Sequence, residues 1–189
     1  MAPPPPEGDL CPACFDRCVG GLRPDLMALA EKSQREDREV LAYVVDDGMG
    51  GLSVKNVAWG QGASIPAASV SMPKLRPGET VSFLFHTHPR EVHYKFSAAD
   101  LSDPGLPVLL FVPETGRFRM VAWSGRGEHP SGLASREAAL LRRHHMGKAT
   151  RAEWDAFVEQ VNRRVETDYV ELCGGRIAPI PSPAGATER

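Results

Sequence analysis

Between Phe85 and Asp100 the chain reads FHTHPREVHYKFSAAD, a run rich in side chains that bind divalent metals. His86 and His88 are two residues apart. On a strand, side chains alternate between faces, so both imidazoles project from the same side and can grip one ion. Pro89 ends the strand. After a loop, Ser97 and Asp100 are spaced by one helical turn, from which the carboxylate can return to the same ion as a third ligand. Two nitrogen ligands and one oxygen ligand leave a fourth position open, the pattern of a catalytic zinc site. S-x-x-D also suits a helix start, with Ser97 capping a backbone N–H and Asp100 near the positive end of the helix dipole; cap and ligand are compatible roles. The remaining histidines read as structural or solvent-facing. His93 lies in the loop, His129 stands before Pro130 in a turn with no evident partner, and His144 and His145 close a helix before Gly147.

The elements that must carry these residues follow from periodicity and punctuation. A short amphipathic helix is expected over residues 24–34 and a β-branched strand over 39–45, stopped by DDGMGG. Further strands are expected over 52–59, 67–72 and 81–88, then a hairpin of 107–112 with 117–123 around a turn at 113–116. Ser97 begins a short helical turn. The last third is helical: 135–145 has one apolar stripe, and 150–168 has a stronger one of Trp154, Phe157, Val158, Val161 and Val165, opened by a Thr150/Glu153 capping box. The four prolines after Ala2 and the Pro-rich end after Ala178 assign flexible segments to 1–22 and 171–189, with the domain proper at 23–170. The fold class expected is α+β, with a central mixed sheet flanked by helices and further helices at the C-terminal end.

The five points His86, His88, Pro89, Ser97 and Asp100, in the spacing H-x-H-P-x7-S-x-x-D, resemble the signature of the JAMM metalloproteases, also called the MPN+ or JAB family. The likeness in element order extends over about residues 24–123. It implies an α/β/α-like architecture with a partly curved sheet and a zinc ion on His86, His88 and Asp100. It also implies a general-base glutamate on an earlier strand, in a pattern E-x-x-G-x-L-x-G. Glu39 is the best match, in EVLAYVVD, where Ala42, Val44 and Asp46 replace the pattern's Gly, Leu and Gly; Glu36, Asp37 and Glu79 are the alternatives. Ser97 would donate a hydrogen bond to the oxyanion formed when a carbonyl is attacked. The implied reaction is hydrolysis of a peptide or isopeptide bond by a zinc-activated water. The implied substrate is the C-terminus of a ubiquitin-like or sulfur-carrier-like protein, or its conjugate. Two further readings go with the likeness: a peptidase that processes an effector or toxin polypeptide, and a catalytically silent MPN-type scaffold.

Composition narrows the field from the other side. A chain of 189 residues, 42% hydrophobic and 24% charged, is an ordinary globular domain. Its formal charge of -2 shows no bias toward nucleic acid. No apolar run is long enough to span a bilayer and the start lacks the pattern of a secretory signal, so no membrane association and a cytoplasmic location are expected. The glycine-rich stretches lack a phosphate-binding fingerprint. Cys11, Cys14 and Cys18 cluster while Cys173 is distant, which reads as reduced thiols on a loose leader. The alternative is a second, structural zinc on Cys11, Cys14 and Cys18 with a fourth ligand from Cys173 or a histidine.

Overall fold

The computed structural model describes residues 11–60, 70–90 and 95–181. Six strands form one mixed sheet: β1 (Val40–Asp46), β2 (Leu52–Trp59), β3 (Thr80–Thr87), β4 (Val108–Val112), β5 (Arg117–Trp123) and β6 (Tyr169–Arg176), in the order β2-β1-β3-β4-β5-β6. All neighbours are antiparallel except β3 and β4, which are parallel. A parallel pair cannot be joined by a tight turn and needs a crossover. Residues 88–107 supply it, and Ser97 and Asp100 lie on that crossover.

Strand alternation splits the core into two layers. Phe83 and Phe85 of β3, with Leu109 and Phe111 of β4, face Phe15 and Val19 of α1 (Pro12–Val19) and Leu26 and Ala30 of α2 (Arg23–Glu36). On the other face, Leu84, Val108 and Leu110 pack with Phe96, Leu101, Leu133 of α3 (Pro130–His145), and Val161 and Val165 of α4 (Arg151–Asp168). Every residue of β4 is buried, as befits a strand covered on both sides. The fold is α+β, a mixed sheet between helices. No helix among the described residues is long and apolar enough to cross a membrane.

Both segments expected to be flexible carry structure. Residues 12–22 of the leader form α1 and a 3-10 turn, because Pro12 suits the first helical turn and Phe15 and Val19, four residues apart, are fully buried. The Phe15 ring lies 4.9 Å from that of Phe118 and 5.9 Å from that of Phe111, centroid to centroid. Beyond residue 170, β6 continues along β5, and the chain after it stays docked: Ile177 is buried, and the N–H groups of Ile177 and Ile180 donate to the carbonyls of Gly116 (2.9 Å) and Pro113 (3.1 Å). Gly116 has φ +65°, and a Cβ there would collide with the Ile177 carbonyl, so the β4–β5 turn and this docking both need glycine.

Smaller differences concern element ends. Helix α3 starts at Pro130 rather than 135, and His129 is its N-cap, with Nδ1 accepting from the Ser131 N–H at 3.4 Å; the partner not evident in the sequence is Ser131. Of the strand expected over 67–72, residues 70–72 carry no strand and 67–69 lie outside the described residues, as does His93. The capping box opening α4 is formed as expected.

Candidate metal centre

Strand β3 delivers the two histidines. His86 pairs with Leu41 on β1 and Leu110 on β4, and the His88 N–H donates to the Phe111 carbonyl at 3.1 Å, extending the ladder just past the strand end. Both imidazoles lie on the Leu84 face and are buried, with ring centroids 4.7 Å apart. Thr87 between them points the other way into a hydrogen-bond chain, buried except at its outer link to Arg38. Its Oγ1 accepts from the Val40 N–H (3.1 Å) and lies 2.6 Å from Ser33 Oγ, which donates to the Arg38 carbonyl (2.6 Å). The Thr87 hydroxyl is therefore the donor to Ser33. This chain ties the end of α2 and residues 38–40 to β3, which sets Glu39 beside the histidines.

Four of the five residues expected at the site converge. His86 Nε2 is 3.3 Å from Asp100 Oδ1, and His88 Nε2 is 3.6 Å from Asp100 Oδ2 and 3.8 Å from Glu39 Oε1. Ligand atoms of Glu39, His86 and His88 all lie within 4.8 Å of one another. Around a tetrahedral zinc with ligands at about 2.0–2.1 Å, neighbouring ligand atoms stand about 3.4 Å apart. The donors have the chemistry of a zinc site and approach its spacing, but Asp100 meets the two imidazoles through different oxygens, and the group that could share one ion with a single atom from each residue is Glu39, His86 and His88. Nδ1 of His86 is buried with no hydrogen-bond partner among the described residues, but the nitrogen that faces Asp100 is Nε2, so an ion held there would leave Nδ1 unengaged. The alternative bases are engaged elsewhere: Glu79 pairs with Lys55 at 2.6 Å, Asp37 with Arg90, and Glu36 with Arg38 at 3.4 Å.

Asp100 sits in a tight turn, residues 98–101, rather than in a helix. Ser97 Oγ accepts the Asp100 N–H (3.1 Å) and Asp100 Oδ2 accepts the Ser97 N–H (2.8 Å), so the cap and the presentation of Asp100 to the histidines do coexist. Ser97 keeps its hydroxyl hydrogen to donate.

Two residues not singled out in the sequence hold this turn. Glu137 of α3 accepts from the N–H groups of Ala98 (3.1 Å) and Ala99 (2.7 Å). Burial pushes its carboxyl up, the two backbone donors oppose that rise, and the charge of Asp100 adds to it. Asn162 of α4 brackets Phe96, accepting its N–H and donating to its carbonyl, both at 2.9 Å. The C-terminal helices are thus the support for the turn that carries Asp100. The only signal in the sequence was Glu137 standing four residues after buried Leu133, an acid on the apolar face.

The four cysteines are paired, Cys11 with Cys14 and Cys18 with Cys173, so they are not the reduced thiols expected and offer no thiolate to a second zinc. Their placement also disfavours one shared ion: Cys11 and Cys18 are separated by about 10 Å along the helix at 1.5 Å per residue. Zinc thiolates at about 2.3 Å from the metal stand only about 4 Å apart. The chain matches no known family model and no curated protein sequence.

Proposed function

We propose that the protein is a zinc-dependent metallopeptidase of JAMM type that hydrolyses an amide bond, with His86, His88 and Asp100 as ligands and Glu39 as general base. The observation that carries this reading is the convergence of side chains from three separate stretches of chain into one buried group, with Asp100 in reach of both imidazoles. Asp100 approaches the histidines more closely than Glu39 approaches His88, which supports Asp100 as ligand and leaves Glu39 for the proton work.

When bound, zinc supplies Lewis acidity that polarises the scissile carbonyl and acidifies water. Glu39 accepts the proton of the attacking water and returns it to the leaving nitrogen, two tasks a carboxylate beside an imidazole can perform in turn. Ser97 donates its hydroxyl hydrogen to the developing oxyanion, while its oxygen stays bonded to the Asp100 N–H. The substrate class suggested by the JAMM resemblance is the C-terminal tail of a ubiquitin-like or sulfur-carrier-like protein, or a conjugate of one; an effector or toxin polypeptide is the other candidate.

A panel of ubiquitin-like fusions and conjugates, assayed with wild type, Glu39→Gln and His88→Ala, tests the reading. Cleavage by wild type and its loss, by at least a hundredfold, in both variants is the expected result. Zinc retained without cleavage of any substrate would favour the silent scaffold instead. A cytoplasmic location fits this substrate class, and there both disulfides would face a reducing pool.

A further inference from the structure

Four side chains stand in a square on one face of the sheet. In the antiparallel ladder of β1 and β3, Leu41 lies directly opposite His86. Alternation brings His88, two residues on, to the same face, and likewise Glu39, two residues before Leu41, whose carboxylate is 3.8 Å from His88 Nε2. Three corners are thus the two histidines and the general base. The fourth is Leu41, set beside His86 at the spacing of opposed strand residues, about 4.5–5.5 Å between Cβ atoms.

The two flanks of His86 differ. Its neighbour on β4, Leu110, is wholly buried in the cluster that holds Phe96 and Leu101. Its neighbour on β1, Leu41, is only partly buried, at the margin of the same cluster. Beyond Leu41 on β2 comes Ala58, whose methyl group leaves the leucine uncrowded from that strand. One pair further down the β1–β3 ladder, Tyr43 and Leu84 are both buried and close the floor at that end. The site is therefore shut on the β4 side and reached from the β1 side, across Leu41.

We propose that Leu41 is the floor of a substrate pocket that receives an aliphatic side chain next to the scissile amide, and so sets the specificity of the hydrolysis. The inference rests on the metal centre proposed above. Each methylene buried on this floor adds about fourfold in affinity. An acidic side chain gains no such burial and is repelled by the Glu39 carboxylate at the next corner. Leu41 transfers no proton; it holds the substrate residue beside the imidazoles.

Hydroxamates test this by binding alone, since they chelate zinc and need no turnover. Zinc-loaded and zinc-free protein are titrated calorimetrically with acetohydroxamate, hexanohydroxamate and adipic monohydroxamate, the last as long as the second but ending in a carboxylate. Zinc-loaded wild type should bind hexanohydroxamate at least tenfold tighter than acetohydroxamate, the gain from about two buried methylenes, and adipic monohydroxamate no tighter than acetohydroxamate. Leu41→Thr, which keeps a strand-forming residue, should bind acetohydroxamate as wild type does and prefer the longer chain by less than about threefold. Three results would overturn the proposal and leave the metal centre standing: equal affinity of wild type for acetohydroxamate and hexanohydroxamate, adipic monohydroxamate bound as tightly as hexanohydroxamate, or a tenfold preference kept in Leu41→Thr. Hydroxamates that bind zinc-free protein as well as zinc-loaded protein would sink both readings together.

Discussion

Around β1, β3 and the Asp100 turn the chain is held by buried hydrogen bonds, whereas α1 and β6 are held by a covalent bridge laid across an edge strand. In the first region Ser33, Thr87 and Glu137 are almost wholly buried, and with Asn162 each bonds to backbone that carries a site residue or its neighbour. In the second, β6 pairs on one side only, and its Val170 and Leu172 are 52% exposed. Buried hydrogen bonds are directional and fix atoms, which a ligand sphere needs. A disulfide mainly limits how far the unfolded chain can spread, which suits a strand with little apolar surface of its own.

Breaking each region should therefore have a different signature. The largest effect on stability is expected from Cys18→Ser/Cys173→Ser, which reopens a very long loop and costs about 5 kcal/mol on the chain-entropy account. Urea unfolding measures it, and zinc affinity of the folded variant should change by less than about tenfold. Glu137→Ala comes next, at about 3 kcal/mol, because it strands the buried N–H of Ala98 and removes the charged acceptor of the part-buried Ala99 N–H. Unlike the cysteine variant it should also weaken zinc binding, read by competition with a chelator, since Asp100 loses its footing.

Thr87→Val should cost about 1–3 kcal/mol by leaving the Val40 N–H and Ser33 without their partner. It should lower amide hydrolysis more than zinc affinity, because the displaced segment carries Glu39 while the histidine strand keeps its ladder. The smallest effect belongs to the edge. The Tyr169 hydroxyl, at the start of β6, is pushed up to about 12, first by burial and then by Asp168. Its folded value lies above its unfolded one, so its contribution is full below about pH 10 and is lost as pH rises from 10 toward 12. Thermal melts over that range should fall less steeply for Tyr169→Phe than for wild type.

The same division explains what could be read from the chain. The convergence of His86, His88 and Asp100 was legible because H-x-H and S-x-x-D are short-range patterns: strand alternation and one turn of chain suffice to aim them, and α4 announced itself by its capping box and apolar stripe. Glu137 and Asn162 were not, since their partners at 96–99 lie far away in sequence and a polar residue on a helix gives no sign of what it will cap. Helix α1 was hidden behind a run of prolines, with only Phe15 and Val19 to mark its buried face. Strand β6, YVELCGGR, has too few apolar residues in alternation to announce a strand, and it forms because β5 offers an unpaired edge. The pairing of Cys18 with Cys173 follows from that docking and could not precede it.

X-ray absorption at the zinc edge, on wild-type protein loaded with one equivalent of the metal, bears most directly on the central claim and separates the two regions at once. The account predicts a single shell of nitrogen and oxygen at about 2.0–2.1 Å with the outer scattering of two imidazoles, abolished by His86→Ala/His88→Ala. A shell containing sulfur at about 2.3 Å, or zinc that stays bound when both histidines are gone, would contradict it.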